Sequence, residues 1–181
     1  MRLWLILAAS AFAGQVAAEV VDADPSGFTS VHELFPAATR ERVYQALTAE
    51  VGRWWDPRHS YSGSAANFTI DARPGGCFCE ALPDGGGVEH MRVVFVEPNR
   101  VLRLAGGLGP LQSMAVSGSM QYTLSAGDKG TTKLSFRYAV GGYYPPGLDT
   151  VAAAVDLVQL GQLQRLKRYV ETGDPESPGS T

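Results

Sequence analysis

The residues best suited to ligand recognition are concentrated in one polar and aromatic stretch, residues 54–63. It contains Trp54, Trp55, His59 and Tyr61. Small-molecule sites combine aromatic walls with a few polar groups, so these side chains are candidates to line or gate a pocket. The alternative is that one tryptophan fills the core and that His59 is an ordinary surface residue.

A second group of residues could move a proton. An enzyme that works by acid–base chemistry needs a carboxylate or an imidazole inside its cavity, and the pair Glu89/His90 or His59 alone would supply one. Charged residues on alternating strands mostly face water, so a surface position is the alternative for each of them. Further candidates for polar groups inside a cavity are Glu80, Arg92 and Arg103.

Tyr143 lies in a segment rich in glycine and proline, residues 141–147. The segment is interpreted either as a mobile lid that carries tyrosines over a ligand or as a rigid turn fixed by its two prolines. The lid interpretation makes Tyr143 a further candidate for ligand binding.

Cys77 and Cys79 are the only cysteines of the chain, and side chains two residues apart on a strand share a face. With His90 nearby they could bind a soft metal such as Cu(I) or Zn, but packing of small side chains in a sheet is the commoner use, and we expect no metal site. Same-face Cα atoms lie about 6.5–7 Å apart on an extended strand, at or beyond the disulfide limit, so we also expect no disulfide. The sequence has no phosphate loop, nucleophile elbow or HExxH motif, and we expect no cofactor.

The elements that must position these residues are mostly strands with turn residues between them. Alternating apolar residues predict an antiparallel sheet of about six to seven strands with one buried face. The strand-like segments are residues 28–35, 68–72, 77–82, 88–97, 101–105, 116–125 and 131–140.

Two helical regions flank most of these strands. Thr39 can cap a helix whose apolar face is Val43, Leu47 and Val51, and a short helical turn follows at residues 53–57. Residues 149–170 predict a long amphipathic helix, with Leu163 and Leu166 on its apolar face. This helix is the only element long enough to cover the sheet, and a curved sheet around one helix leaves a cavity between them.

In this order of elements the chain resembles the START-like SRPBCC superfamily, which includes polyketide cyclase-like proteins and a chaperone-ATPase-activator-like branch. Local similarity is found at residues 36–47, 53–55, 73–80 and 93–102, and the resemblance extends over residues 28–170. It implies an α+β helix-grip fold. Members of the superfamily bind lipids and other hydrophobic ligands, catalyse cyclisation or dehydration, or bind partner proteins, without a shared catalytic set, so the resemblance alone does not define the function.

The N-terminus has the order of a secretory signal peptide. Arg2 precedes an apolar run, and small residues precede Glu19, which predicts cleavage after Ala18 and a periplasmic or secreted protein. The apolar run is shorter than the ~20 residues that span a bilayer, so no membrane span is expected in the mature chain. The predicted organisation is a signal peptide (1–18), a polar lead-in (19–27), one domain (28–171) and a disordered tail (172–181).

With 15 basic and 18 acidic residues and a net charge of −3, the chain has no basic patch for nucleic acid. We therefore expect an exported protein that holds an apolar small molecule or lipid in a cavity between the sheet and the last helix. The alternatives are a cyclase- or dehydratase-like enzyme with a cavity acid–base pair, and a module that binds a protein partner.

Overall fold

The structure, a computed structural model, describes residues 19–176 and forms one antiparallel sheet with helices on its concave face. The predicted signal peptide and residues 177–181 of the predicted tail lie outside the described residues. The strand order in the sheet is β1-β2-β8-β7-β6-β5-β4-β3. The strands are β1 (Glu19–Asp24), β2 (Gly27–Leu34), β3 (Phe68–Ile70), β4 (Cys77–Ala81), β5 (Gly87–Glu97), β6 (Val101–Gly106), β7 (Ala115–Ala126) and β8 (Thr132–Tyr143).

All seven predicted strands are present, and an eighth, β1, occupies most of the predicted lead-in. The turn between β1 and β2 explains the difference. The Asp24 carboxylate accepts the backbone N–H groups of Ser26 (2.6 Å) and Gly27 (3.1 Å), so the chain reverses within two residues and pairs with the strand that follows. The polar composition of this segment suits an edge strand, which has only one neighbour.

The expected alternation holds along the central strands β7 and β8. Inward-facing side chains are buried, while their neighbours on the opposite face reach solvent. The sheet therefore has one apolar face, as predicted. Members of this face include Tyr122, Leu124, Leu134, Phe136 and Tyr138.

The described part of the chain contains three α-helices: α1 (Arg40–Ala49), α2 (Val51–Trp54) and α3 (Asp149–Thr172). Thr39 caps α1 as predicted, because its hydroxyl accepts the backbone N–H of Arg42 at 3.2 Å. Within residues 19–176, no helix combines the length and the apolar character that crossing a membrane requires.

The helix α3 packs against the sheet, as predicted for the last helix, and Leu163 and Leu166 are among its buried residues. The helix runs two residues beyond the predicted end. It stops at Gly173, whose backbone is left-handed (φ 83°), a conformation that glycine adopts without strain. Beyond Gly173 the chain folds back, and the Pro175 carbonyl accepts a hydrogen bond from Arg168 Nε at 2.7 Å.

A buried polar cluster ties α3 to β2. Asp156 Oδ1 lies 2.9 Å from His32 Nε2 and accepts a hydrogen bond from the Ser30 hydroxyl. The His32 ring stacks on Phe136 with centroids 6.0 Å apart. The three polar residues are at most 4% exposed, so the cluster is a sealed anchor between the helix and the sheet.

Candidate functional site

A cavity of about 390 Å³ lies between the first half of α3 and the end of the sheet near β5. Its other walls are the connection that follows α2 and the segment between β6 and β7. The lining residues are Trp55, Arg58, His59, Ser60, Tyr61, His90, Leu108, Gly109, Pro110, Leu111, Met114, Val151, Ala154, Val155, Val158 and Gln159.

The two adjacent tryptophans have different positions. Trp54 is in the core, 2% exposed, and its indole N–H donates to the Ala46 carbonyl of α1 at 2.8 Å. Trp55 forms part of the cavity wall and packs against Phe68 and Phe78, with ring centroids 5.4 Å apart in each pair. The prediction that one tryptophan fills the core therefore applies to Trp54, and the pocket prediction applies to Trp55.

The connection after α2 brings His59 and Tyr61 to the mouth of the cavity. Asp56 caps a short 3-10 turn at Pro57–His59 by accepting the Arg58 backbone N–H at 2.9 Å, and the Arg58 guanidinium lowers the pKa of the Asp56 carboxyl to about 2. His59 is exposed, and Tyr61 is 54% exposed. Both side chains border the cavity where it opens to solvent.

A β-bulge places His90 in the cavity wall. In the pairing of β4 with β5, Phe78 lies opposite Met91 and Cys79 lies opposite Glu89, so His90 is the additional residue. As a result two consecutive residues, His90 and Met91, are buried, although strand alternation would turn one of them outward. Bulges of this kind redirect a side chain without ending the strand.

His90 is held in place by stacking and by a carboxylate. Its ring lies nearly parallel to Phe68 (5.1 Å, 22°) and to Tyr61 (5.9 Å, 19°). Its Nε2 lies 3.0 Å from Glu80 Oε2. Burial lowers the pKa of His90 below 6.5, although the Glu80 carboxylate opposes this effect. The imidazole is therefore neutral at pH 7, and its Nε2–H donates to Glu80.

The Glu80 carboxylate holds the mouth segment, residues 60–62, by hydrogen bonds. This carboxylate is 1% exposed and accepts the Ser60 hydroxyl (2.7 Å) and the backbone N–H groups of Tyr61 (3.2 Å) and Ser62 (2.5 Å). Burial alone would raise the pKa of Glu80, but the hydrogen bonds from Ser62 and Ser60 outweigh it and lower the pKa to about 2. One ionised side chain thus fixes both the mouth segment and His90.

Cys77 and Cys79 form a disulfide, and the expectation that they would remain unbridged is wrong. Their Cα atoms are 5.4 Å apart, within the range that a disulfide spans. The strand β4, which lies opposite the bulge in β5, is less extended here than the ideal strand on which the expectation was based. Both cysteines are on the opposite face from Phe78 and Glu80, away from the cavity. Among the described residues no group of three or more His, Cys, Asp or Glu side chains could hold a metal ion.

A family model described as activator of Hsp90 ATPase homolog 1-like protein matches residues 37–170, which span α1 to α3. The chain belongs to this family. The match covers every residue that lines the cavity, so the site is part of the family domain and not an addition to it. No curated protein matches the chain.

Solved structures similar to this activator-like chain include DynU16, CalU16 and Ara h 8.0201. DynU16, a protein of the dynemicin biosynthetic locus, has a TM-score of 0.56 at 23% identity, over 81% of this chain and 48% of DynU16; this chain thus spans about half of that protein. CalU16 from Micromonospora echinospora has a TM-score of 0.54 at 17% identity, over 83% of this chain and 78% of CalU16. Ara h 8.0201 has a TM-score of 0.57 at 15% identity, over 80% of this chain and 97% of its own. At these identities the similarity shows a shared fold.

Three of the predicted site residues do not line the cavity, and one of them is the core residue Trp54 described above. Glu89 faces solvent and pairs with Arg92 at 2.5 Å, so the carboxylate beside His90 is that of Glu80 and not that of Glu89. Tyr143 is 73% exposed at the end of β8 and does not line the cavity. The predicted site residues did not include the cavity-lining segment 108–114 or the α3 residues Val151, Val155, Val158 and Gln159.

Proposed function

We propose that this domain binds an apolar small molecule in the cavity between the sheet and α3. The observation that supports this is the cavity itself, with about 390 Å³ of space and a wall built largely of aliphatic and aromatic side chains. This volume is in the usual range of small-molecule sites, roughly 300–1,000 Å³. Transfer of an apolar molecule from water to such a wall is favourable in proportion to the area that is buried.

The polar groups of the site support recognition of one small molecule. They are few, and Glu80 fixes two of them, His90 and the mouth segment with Tyr61. Groups that are already held in place lose little conformational entropy when a ligand binds. Tyr61 stacks on His90 of the wall and lies at the opening, where rotation of its side chain would admit or retain a ligand.

The name of the matched family refers to activation of a chaperone ATPase, which is an interaction with a protein partner. We favour a small molecule for this chain because its apolar wall surrounds a cavity. Of the large apolar side chains that are exposed, Phe35 follows the end of β2, Val94 and Phe95 are neighbours on β5, and Leu157 is on α3. A protein partner would bury a contiguous apolar patch on the surface.

We also propose that the protein is exported and acts after removal of residues 1–18. Cleavage after Ala18 would leave all the described residues of β1, Glu19–Asp24, in the mature protein. The Cys77–Cys79 disulfide supports the proposal, because disulfides persist mainly in oxidising compartments outside the cytosol. N-terminal sequencing of the protein from its native source would yield Glu19 first; an intact Met1 in the soluble cytosolic fraction would contradict it.

Binding is tested with pyrene, an apolar fluorophore that accepts excitation energy from tryptophan. We expect saturable energy transfer from Trp54 and Trp55, because Trp55 lines the cavity. Val155→Phe should weaken binding at least tenfold, since the added ring occupies the cavity. Leu157→Phe is the matched control: it adds a ring to the same helix at a side chain that is 65% exposed, and it should leave binding unchanged.

Other outcomes separate the alternatives. Equal binding by the two variants would place the probe elsewhere and contradict the proposal. Chemical conversion of a bound ligand that is lost in His90→Gln but retained in His59→Gln would favour the enzyme, since only His90 has a carboxylate partner at the cavity. No saturable binding in the folded protein would leave the protein-partner alternative.

A further inference from the structure

The buried face of α3 carries a row of polar side chains. Asp156, Gln159, Gln162 and Arg165 follow one another at intervals of three residues, a spacing that places neighbours on the same side of a helix. Each of them is 7% exposed or less. Polar groups in such positions are nearly always paired, so the partner of each can be sought in turn.

Three of the four side chains are paired within the protein. Asp156 binds Ser30 and His32, as described above. Gln162 Oε1 accepts the Asp56 backbone N–H at 2.9 Å, which anchors the start of the connection after α2. Arg165 Nε donates to the Trp54 carbonyl at 2.7 Å, which anchors α2.

Gln159 is the exception. Its side chain makes no hydrogen bond to another residue between 19 and 176, and it lines the cavity. Gln159 as a residue is only 3% exposed, and its unpaired carboxamide on the cavity wall is available to whatever occupies the cavity. Water can pair with it while no ligand is bound, but a wholly apolar ligand would displace that water and leave the amide unsatisfied.

We propose that the ligand carries a carbonyl or hydroxyl oxygen that accepts a hydrogen bond from the Gln159 amide. This inference rests on the proposed function and specifies its ligand class: an apolar body with an oxygen-bearing head group. The rest of the wall near α3 consists of Val151, Ala154, Val155 and Val158, which suit the apolar body.

The test compares three probes that share one apolar body: pyrene, 1-hydroxypyrene and 1-acetylpyrene. The wild-type protein should bind the two oxygenated probes about tenfold more tightly than pyrene, corresponding to about 1.4 kcal/mol, the order expected when a buried amide regains a partner. Gln159→Met keeps the length of the side chain and removes the amide. It should bring the ratio between oxygenated probes and pyrene close to one.

Gln162→Met is the matched control, because it makes the same change three residues along the helix at an amide that is already paired. We expect it to lower the melting temperature and to preserve the tenfold ratio, whereas Gln159→Met should leave the melting temperature unchanged or raise it. Gln159→Leu provides a second variant should Gln159→Met fold poorly. A preference for only one oxygenated probe would identify the head group as a hydroxyl or a carbonyl and would support the proposal.

Two outcomes would overturn the inference in different ways. Pyrene bound as tightly as the oxygenated probes, or a ratio that survives in Gln159→Met, would refute the role of Gln159 and leave the binding function intact. Failure of all three probes to bind would refute the binding function and this inference together.

Discussion

The two buried histidines of the domain, His32 and His90, are alike in their immediate chemistry. Each places Nε2 about 3 Å from a carboxylate, Asp156 in one case and Glu80 in the other. Each ring stacks on phenylalanine, and each has an Nδ1 with no hydrogen-bond partner among residues 19–176. On residue types and distances alone, either pair could be taken for an acid–base site.

Their surroundings differ. His32 joins β2 to α3, elements that are far apart in the sequence, and neither His32 nor Asp156 borders the cavity. Glu80 and His90 lie on neighbouring strands, and His90 contributes to the cavity wall. We infer that the first pair stabilises the packing of the helix and that the second pair shapes a site. The two pairs have similar chemistry, so what distinguishes a structural pair from a site pair is whether it borders the cavity.

The largest expected effect is on unfolding when the anchor is broken. Asp156→Ala leaves Ser30 and His32 buried without their acceptor, and we expect it to lower the free energy of unfolding by about 3 kcal/mol or more. Urea denaturation followed by circular dichroism measures this loss. Leu157→Ala, at the exposed neighbouring position, should change the value by less than 0.5 kcal/mol, as is usual for surface substitutions. An Asp156→Ala protein as stable as this control would remove the distinction between the two pairs.

An intermediate effect is expected at the site pair. Glu80→Gln weakens the bonds that hold the mouth segment and His90, so we expect a loss of about 2 kcal/mol in unfolding and weaker binding of pyrene. Asp156→Ala should lower the free energy of unfolding far more than it weakens pyrene binding, when binding is measured at a temperature at which the variant is folded. Should Glu80→Gln bind pyrene as the wild type does, the mouth segment would not depend on this carboxylate.

The pH dependence of the same variant sharpens this prediction. The pKa of Glu80 is about 2 in the folded protein and about 4.5 when it is free of the fold. Its ionised form therefore stabilises the protein fully above pH 4.5, and this contribution is lost as the pH falls towards 2. The stability difference between the wild type and Glu80→Gln should shrink over that interval.

The smallest effect is expected on α3 away from both pairs. A methyl group at Gly161 would meet no atom within 4 Å, and glycine inside a helix is less favourable than alanine. Gly161→Ala should raise the free energy of unfolding by about 0.5–1 kcal/mol and leave probe binding unchanged. A change in binding would indicate that the packing of the whole helix, and not only its buried polar contacts, controls the cavity.

The helices and strands were predicted well from the sequence, because alternation, capping and apolar spacing depend on residues close together in the chain. Alternation located the seven strands from β2 to β8, Thr39 marked the start of α1, and apolar spacing predicted α3. Of the aromatic stretch, Trp55, His59 and Tyr61 border the cavity and Trp54 is in the core, while their role in ligand binding stays a prediction. The ligand and the cellular location remain predictions.

The site was less predictable where it depends on non-local geometry. The bulge at His90 changes which neighbours face inward, and so Glu80, not Glu89, became the partner. Cys77 and Cys79 lie beside this irregularity, with their Cα atoms only 5.4 Å apart, which the ideal strand spacing did not predict. Gln159 and Gln162 are both glutamines on the same helix, so the sequence cannot tell them apart. The unpaired role of Gln159 became visible only when the hydrogen-bond partners of the other polar residues of α3 were known.

The position of α3 at the end of the element order affects how the chain can fold during synthesis. All eight strands precede this 24-residue helix, so the apolar face of the sheet is complete before the element that covers it has been made. Until α3 docks, only the short helices α1 and α2 are available to cover the apolar face of the sheet. Incomplete chains of this kind expose aggregation-prone surface and engage chaperones. The domain therefore acquires its stable core late, when nearly all of its residues have been joined.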